Sequence, residues 1–219
     1  MQKLTFVIGA NAAGKTYFIE HHLANEKAVV LDVYDYQQKV YDEHGNKELI
    51  TFEEQFRCLK KANEKHLHDI INELKQGNNV IAEQTFFKAK RRIAYIDEIR
   101  NEMDVKIEVY VMHPSNERWI ENSKKREDIE NIEVYENQKN QMEFPNPAEG
   151  FDAIFEVVDD EIILRMDDIK PEIVKQARQE LTEEDTRIRR EDEREHKYRQ
   201  LIESMNIRPF WHYCEVCVK

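Results

Sequence analysis

Short apolar runs alternate with longer amphipathic segments through the first 160 residues of the chain. The apolar runs predict buried strands at residues 4–8, 28–33, 79–83, 105–112 and 153–158. Apolar positions three and four residues apart predict helices at residues 15–24, 51–77, 88–103 and 115–127. The polar segment 34–50 contains the sequence HGN and predicts a loop.

Strands that alternate with helices predict βαβ units, in which the strands run parallel and helices cover both faces of the sheet. The predicted fold class is therefore α/β: a three-layer αβα sandwich around a five-stranded parallel sheet. Thr51 and Glu54 fit a capping box at the start of the longest helix in this core, and Gly77 fits its stop.

The chain changes character towards its C-terminus, where residues 171–205 are mostly charged. We predict a core over residues 1–160 and a charged helical extension over residues 161–219. Four apolar residues of the extension recur at heptad-like spacing: Val174, Leu181, Ile188 and Ile202. This spacing favours a helix that docks on the core or pairs in a dimer, while the high charge equally fits a solvated helix without a specific role.

Composition narrows the class of protein. The 219 residues carry a formal net charge of -12, which disfavours tight non-specific binding to nucleic acid but leaves room for a local basic groove. No apolar stretch approaches the roughly 20 residues that cross a bilayer, and the N-terminus has no signal-peptide pattern. Three cysteines do not form a disulfide framework. We therefore expect no membrane association and a reducing, cytoplasmic setting.

Residues 9–16, GANAAGKT, match a phosphate-binding loop between a strand and a helix. The glycines let backbone N–H groups approach phosphates, Lys15 reaches the β- and γ-phosphates, and the Thr16 hydroxyl ligates Mg²⁺. ATP and Mg²⁺ are the predicted cofactors. The predicted nucleotide-binding residues are Gly9, Ala10, Asn11, Ala12, Ala13, Gly14, Lys15, Thr16, Tyr17 and Arg118.

Carboxylates follow two of the predicted strands. Asp32 and Asp35 lie just past the second strand, at the edge where open α/β sheets bind ligands, and Asp35 is the candidate base for an acceptor hydroxyl. A solvated aspartate is the alternative. Glu83 follows the third strand and is placed to contact Mg²⁺ or its waters, or to hold a basic side chain near the acceptor.

Cations concentrate on the helix after the fourth strand: Arg118, Lys124, Lys125 and Arg126. Beside a phosphate loop, Lys125 and Arg126 would stabilise charge on the transferred group. The alternative is a basic surface of an ordinary helix.

These stretches together resemble the polynucleotide kinase-like P-loop kinases, a group that includes phage polynucleotide kinase and AAA-type ATP-binding and zeta-toxin-like relatives. The similar pieces cover residues 1 to about 160: GANAAGKT, DYQQ, EQTFFKAKRRIAYIDEIR, NERWIENSKKR and FPNPAEGFDAIFEV. The resemblance implies Lys15 and Thr16 on ATP–Mg²⁺, Asp35 as base for a 5′-hydroxyl, and Lys125 or Arg126 as the lid cation.

The chain departs from this group at three positions. Gln38 stands where the family has an arginine, Glu83 replaces an aspartate, and a lid arginine falls near Glu121. The expected function is an ATP-dependent kinase of a hydroxyl, foremost a nucleic-acid or nucleotide 5′-hydroxyl. A zeta-toxin-like kinase of a small metabolite and an ATP-binding regulatory module stay open as alternatives.

The C-terminal sequence FWHYCEVCVK contains His212, Cys214 and Cys217, which are zinc-ligand types. A zinc site, a redox pair and an aromatic tail with incidental cysteines all remain open.

Overall fold

Six strands form one sheet in the computed structural model, which describes residues 2–24, 26–44, 51–125 and 132–204. The strands are β1 (Lys3–Ile8), β2 (Ala28–Asp32), β3 (Asn79–Gln84), β4 (Lys106–Met112), β5 (Ala153–Val158) and β6 (Glu161–Met166). Their order is β2-β3-β1-β4-β5-β6. The first five are parallel and β6 runs antiparallel to β5. The α/β prediction is confirmed, whereas the count of five strands is wrong by one.

The helices are α1 (Lys15–His22), α2 (Val33–His44), α3 (Phe52–Lys75), α4 (Ala89–Glu102), α5 (Asn116–Lys124), α6 (Ile132–Gln141) and α7 (Pro171–Ser204), with a short 3-10 turn at Pro147–Glu149. The predicted capping box of α3 is present, since the Thr51 hydroxyl accepts from the Glu54 N–H and the Glu54 carboxylate accepts from the Thr51 N–H. Gly77 follows the end of α3 with a φ of 91°.

The segment predicted as a loop contains α2. Val40 and Tyr41 of this helix are buried against Cys58 and Ala62 of α3. The segment is polar overall, so its small apolar face can be recognised only from its packing against helix α3. Residues 45–50 lie outside the described part of the chain.

Strand β6 lies where the start of the helical extension was predicted, so that prediction is wrong for residues 161–166. A tight turn reverses the chain before β6, and its two residues Asp159 and Asp160 have φ angles of 47° and 75°. Left-handed residues at both turn positions are typical of a two-residue hairpin, for which glycine or asparagine is the usual sequence signal. Two aspartates gave no such signal.

Core residues cover both faces of the sheet. Leu4, Phe6 and Ile8 of β1 belong to a cluster that includes side chains of α3 and α4. Val7 points to the other face, where Phe18 and Ile19 of α1 pack. Because both faces of β1 are buried, its sequence is a continuous apolar run rather than an alternating one.

A buried ion pair joins helix α4 to the 3-10 turn before β5. Arg92 of α4 is 1% exposed and Glu149 is fully buried. The Arg92 Nε lies 2.5 Å from Glu149 Oε2 and its Nη2 lies 2.8 Å from Oε1, a bidentate arrangement. The same guanidinium donates to the carbonyl oxygens of Phe86 and Glu143 at 2.5 and 2.7 Å. Four of the five N–H groups of the buried cation therefore donate to oxygen atoms.

The chain divides into two compact units, Met1–Val174 and Lys175–Lys219. Within the second unit, the structure describes the part of α7 up to Ser204. Leu181 is exposed there, and Arg187 pairs with Glu184 one turn before it. The division into a kinase core and a C-terminal extension stays a prediction.

Candidate active site

The phosphate-binding loop connects β1 to α1 at the carboxyl edge of the sheet. β1 ends at Ile8 and α1 begins at Lys15. Gly14 has a φ of 89°, in the left-handed region where a side chain strains the backbone. At Gly9, a Cβ atom would lie 2.9 Å from both the Cβ and the carbonyl oxygen of Met112 on β4. The path of the backbone therefore requires both glycines.

The Lys15 ammonium and the first N–H groups of α1 lie at this loop. The Lys15 Nζ donates to the carbonyl oxygens of Gly9 and Ala10 at 3.3 and 3.1 Å, which holds the ammonium beside the loop. No side chain of the described residues caps the start of α1 at Gly14. The first N–H groups of the helix and the Lys15 ammonium therefore lie at the same end of α1, where both attract an anionic phosphate.

A hydroxyl–carboxylate pair lies next to the loop. The Thr16 Oγ1 donates to Glu83, with 3.0 Å to Oε1 and 3.2 Å to Oε2. Strand β3 pairs directly with β1, which brings Glu83 opposite Val7 and beside the loop. A threonine oxygen and a carboxylate oxygen in contact are the donor types that Mg²⁺ prefers, so these residues fit the predicted ion.

Helices α5 and α6 hold the outer side of the loop through side chains that the sequence did not single out. The Trp119 Nε1 donates to the Asn11 carbonyl at 2.9 Å, and the Asn122 Nδ2 donates to the Ala12 carbonyl at 3.1 Å. The Asn11 N–H donates to Gln138 Oε1 at 2.9 Å. Ala12 has a φ of 58°. Its left-handed backbone is thus supported by α5. The only sequence signal was a tryptophan on a helix predicted to flank the loop.

A cavity of about 420 Å³ opens beside the loop. It is walled by the start of α1, by Glu83, by α5 and by the turn between β5 and β6. Such a volume accommodates a nucleotide-sized ligand. Seven of the ten predicted nucleotide-binding residues line it: Ala12, Ala13, Gly14, Lys15, Thr16, Tyr17 and Arg118. Gly9, Ala10 and Asn11 belong to the loop without lining the cavity.

The predicted cations of α5 have different environments. Lys125 is exposed at the end of α5 and lines the cavity. Arg118 also lines it and forms an ion pair with Asp160 of the β5–β6 turn. Lys124 is exposed, and Arg126 lies outside the described residues. The turn that precedes β6 therefore takes part in the site, a contribution that the sequence did not predict.

The aspartates after β2 lie outside the cavity wall. Asp32 ends β2, and its Oδ1 accepts from the Tyr34 N–H at 2.9 Å. Asp35 lies in the first turn of α2 and is exposed. Gln38, one turn later, donates to Asp42 at 2.8 Å on the same helix. Since β2 pairs with β3 and Asp32 is opposite Glu83, the start of α2 lies at the same sheet edge as the phosphate-binding loop.

The remaining predictions concern metal binding and membrane association. Among the described residues, no group of three or more His, Cys, Asp or Glu side chains could hold a metal ion. None of the helices in the described ranges is long and apolar enough to span a membrane. His212, Cys214 and Cys217 lie beyond Ser204 and outside the described part, so a zinc site there stays a prediction.

Comparison with known proteins identifies the family. The model of the family described as AAA domain matches residues 4–145, well over half of the chain. The chain belongs to the AAA domain family. The matched part of this AAA domain contains the phosphate-binding loop, Glu83 and α5. No curated protein matches the chain.

Solved structures share the fold of this AAA domain. A protein assigned as a kinase from Chloroflexus aurantiacus j-10-fl is 18% identical, with a TM-score of 0.58 over 83% of this chain and 97% of that one. A component of the PezAT chromosomal toxin–antitoxin system of Streptococcus pneumoniae is 15% identical, with a TM-score of 0.53 over 74% and 70% of the two chains. At these identities the likeness shows the fold alone, an α/β fold around a mostly parallel sheet.

Proposed function

We propose that this AAA domain is an ATP-dependent kinase that transfers the γ-phosphate to a hydroxyl group. The contact of Thr16 with Glu83, beside Lys15 and open to the 420 Å³ cavity, carries this proposal. Around one ligand-sized cavity, this arrangement places a cation, a hydroxyl and a carboxylate, the groups that phosphoryl transfer from ATP requires.

The chain's own residues would divide the chemistry as follows. Lys15 and the N–H groups at the start of α1 bind the β- and γ-phosphates and stabilise negative charge on the transferred group. Lys125, at the cavity edge, adds a second cation, and Arg118 contacts the nucleotide. Thr16 and Glu83 would hold Mg²⁺, which neutralises phosphate charge when bound.

Asp35 is the proposed general base. Its exposed carboxylate has no hydrogen-bond partner within the described residues, and so it is available to a substrate. The acceptor oxygen bonds to the γ-phosphorus, the bond from phosphorus to the β–γ bridging oxygen breaks, and ADP leaves. The hydroxyl proton moves to an Asp35 carboxylate oxygen. A nucleic-acid or nucleotide 5′-hydroxyl, the acceptor predicted from sequence, remains one candidate within this scheme.

A transfer assay tests the proposal. The wild-type protein is incubated with γ-labelled ATP and Mg²⁺ and with adenosine, D-glucose, myo-inositol, D-gluconate or a 5′-hydroxyl oligonucleotide. We expect label on at least one acceptor, loss of transfer in Lys15→Ala, and a fall of about a hundredfold or more in kcat for Asp35→Asn. Asp42→Asn, on the same helix as Asp35, serves as control and should retain the wild-type rate.

Two results would contradict the proposal. ATP binding without label transfer to any probe indicates a nucleotide-binding module. Equal rates in Asp35→Asn and Asp42→Asn would remove Asp35 from the chemistry.

A further inference from the structure

A chain of buried polar groups links the ends of β2 and β3. His66 of α3 is fully buried, with its Nε2 3.1 Å from the Leu31 carbonyl oxygen. Its Nδ1 lies 2.8 Å from the Gln84 side-chain nitrogen. That nitrogen also lies 3.3 Å from the Tyr95 hydroxyl, which is 2.9 Å from the Asn63 carbonyl oxygen. Two side chains, His66 and Tyr95, therefore contact the Gln84 amide, and each is itself held by a backbone carbonyl.

The two backbone carbonyls determine the direction of every hydrogen bond in this chain. A carbonyl only accepts, so His66 carries its proton on Nε2, and Tyr95 donates its hydroxyl proton to Asn63. Burial lowers the pKa of His66 to about 4, and the neutral ring leaves a lone pair on Nδ1. The Gln84 amide therefore donates one N–H to His66 and the other to the Tyr95 oxygen.

This assignment uses both N–H groups of Gln84 and leaves its carbonyl oxygen, Oε1. Gln84 is 3% exposed, and its Oε1 has no hydrogen-bond partner among the described residues. Among the described residues, the side-chain atoms that are both fully buried and unpaired are Thr5 Oγ1 and Glu26 Oε2, so the Gln84 Oε1 retains some contact with solvent. A polar oxygen that is held in one orientation and keeps contact with solvent is suited to accept from a ligand, because a ligand donor can take the place of water.

The position of Gln84 relates it to the acceptor side of the site. Gln84 ends β3 and pairs in register with Ile8, the residue before the phosphate-binding loop. Tyr36, next to Asp35, packs its ring against His66 at a centroid distance of 5.2 Å. Gln84 therefore lies between the loop that binds phosphate and the helix that carries the proposed base.

We propose that Gln84 is a specificity-determining residue whose Oε1 accepts a hydrogen bond from the acceptor substrate, and that His66 and Tyr95 are the positioning residues that present this oxygen. The inference rests on the proposed kinase function and deepens it by assigning a contact to the acceptor.

The same edge indicates the class of acceptor. Asp35, the proposed base, lies in the first turn of α2 just past the end of β2, and its carboxylate is exposed. A carboxylate and a carbonyl oxygen accept hydrogen bonds, and the carboxylate repels anions. The acceptor is therefore an uncharged compound with several hydroxyl groups, one of which donates to Gln84 while a neighbouring one is phosphorylated.

Steady-state kinetics tests this inference on the full-length protein. KM is measured for adenosine, D-glucose, myo-inositol and a 5′-hydroxyl oligonucleotide, and separately for ATP. We expect an uncharged probe to be the best acceptor. Gln84→Met, which has nearly the same volume but no acceptor oxygen, should raise the KM of that probe about tenfold to a hundredfold and leave the KM of ATP unchanged.

Two further variants separate positioning from packing. Gln84→Glu keeps an oxygen of equal reach. The new carboxylate favours protonation of His66, and the His66 Nδ1–H then donates to the carboxylate and orients it. This variant should therefore retain the probe KM within about threefold. Tyr95→Phe removes one of the two groups that orient the amide, so it should raise the probe KM less than Gln84→Met does. An unchanged KM for ATP in this variant excludes a general loss of structure as the cause.

The outcomes distinguish the two proposals. No labelled product from any probe overturns the kinase function itself. Transfer by the wild type with an unchanged probe KM in Gln84→Met overturns the role of Gln84, and preference for the oligonucleotide overturns the uncharged class. If Gln84→Met does not fold, NMR of the ¹⁵N-labelled wild type decides: addition of the best probe shifts the Gln84 side-chain amide signals if the contact exists and leaves them in place if it does not.

Discussion

At the scale of single residues, burial separates side chains that the sequence presents as equivalent. His66 and His68 lie two positions apart on α3, and both look like polar residues of an amphipathic helix. The structure buries His66 completely and exposes 72% of the His68 side chain. Burial in turn lowers the pKa of His66, since desolvation penalises the charged ring.

This difference predicts a pH dependence of stability. The pKa of His66 is about 4 in the folded chain and 6.5 in a model peptide, so the unfolded chain binds the extra proton between these values. Stability is fully present above pH 6.5 and falls as the pH decreases towards 4. We expect His66 to account for a loss of about 2 kcal/mol in the free energy of unfolding between pH 7.5 and pH 5.

Urea unfolding across this pH range measures the loss. His66→Gln should weaken the pH dependence by that amount, whereas His68→Gln, the exposed control on the same helix, should follow the wild type. Parallel curves for the wild type and His66→Gln would show that His66 is protonated equally in both states.

At the scale of elements, the phosphate-binding loop depends on helices that follow it by more than a hundred residues. Trp119 and Asn122 lie one turn apart on α5 and donate to consecutive loop carbonyls. Ala10, Ala12 and Trp119 also form a small buried cluster. Helix α5 therefore supports the loop conformation as well as contributing cations to the cavity.

Loss of this support should weaken nucleotide binding. We expect Asn122→Ala and Trp119→Phe each to raise the Kd for ATP about fivefold to tenfold, because each removes one hydrogen bond of about 1 kcal/mol that holds the loop. Titration with a fluorescent ATP analogue measures the affinity. Glu121→Ala, an exposed change on the same helix, should bind as the wild type does, and an equal loss in this control would point to a general disturbance of α5.

The elements themselves were predictable to different degrees. The buried parallel strands and the long helix α3 were recognised because an apolar run or a capping box is a local signal. Helix α2 and strand β6 were missed, because α2 is identified by its packing against α3 and β6 by its pairing with β5. The left-handed Asp159–Asp160 turn, which lacks glycine, hid the reversal of the chain.

At the scale of the whole molecule, the buried pair Arg92–Glu149 joins segments 57 residues apart. Both side chains are at least 99% buried, and the pair is bidentate. A charge without its partner is expensive in such an environment. The neighbouring Arg91 is exposed, although the sequence RR presents the two arginines identically.

Removal of one member should destabilise the entire core. We expect Arg92→Ala to lower the free energy of unfolding by about 3 to 5 kcal/mol, because Glu149 is left buried and unpaired. Arg91→Ala should change it by less than about 0.5 kcal/mol. Denaturant unfolding followed by far-UV circular dichroism compares the two variants, and similar losses in both would contradict a special role for the buried pair.

The predicted dimer through the C-terminal helix stays a prediction at this scale. Ile188 and Ile202 supply half of the proposed seam, and nothing is described of their side chains. Sedimentation equilibrium of the full chain decides it.

The sequence by itself determined the α/β class and the phosphate-binding loop. These follow from local physics, since glycine freedom, helix N-termini and apolar runs act over a few residues. Only the tertiary structure decided that α5 supports the loop, that the β5–β6 turn reaches Arg118, and that His66 contacts Gln84. These contacts join residues from 18 to 110 positions apart, and no local pattern encodes a hydrogen bond that the packing of distant elements creates.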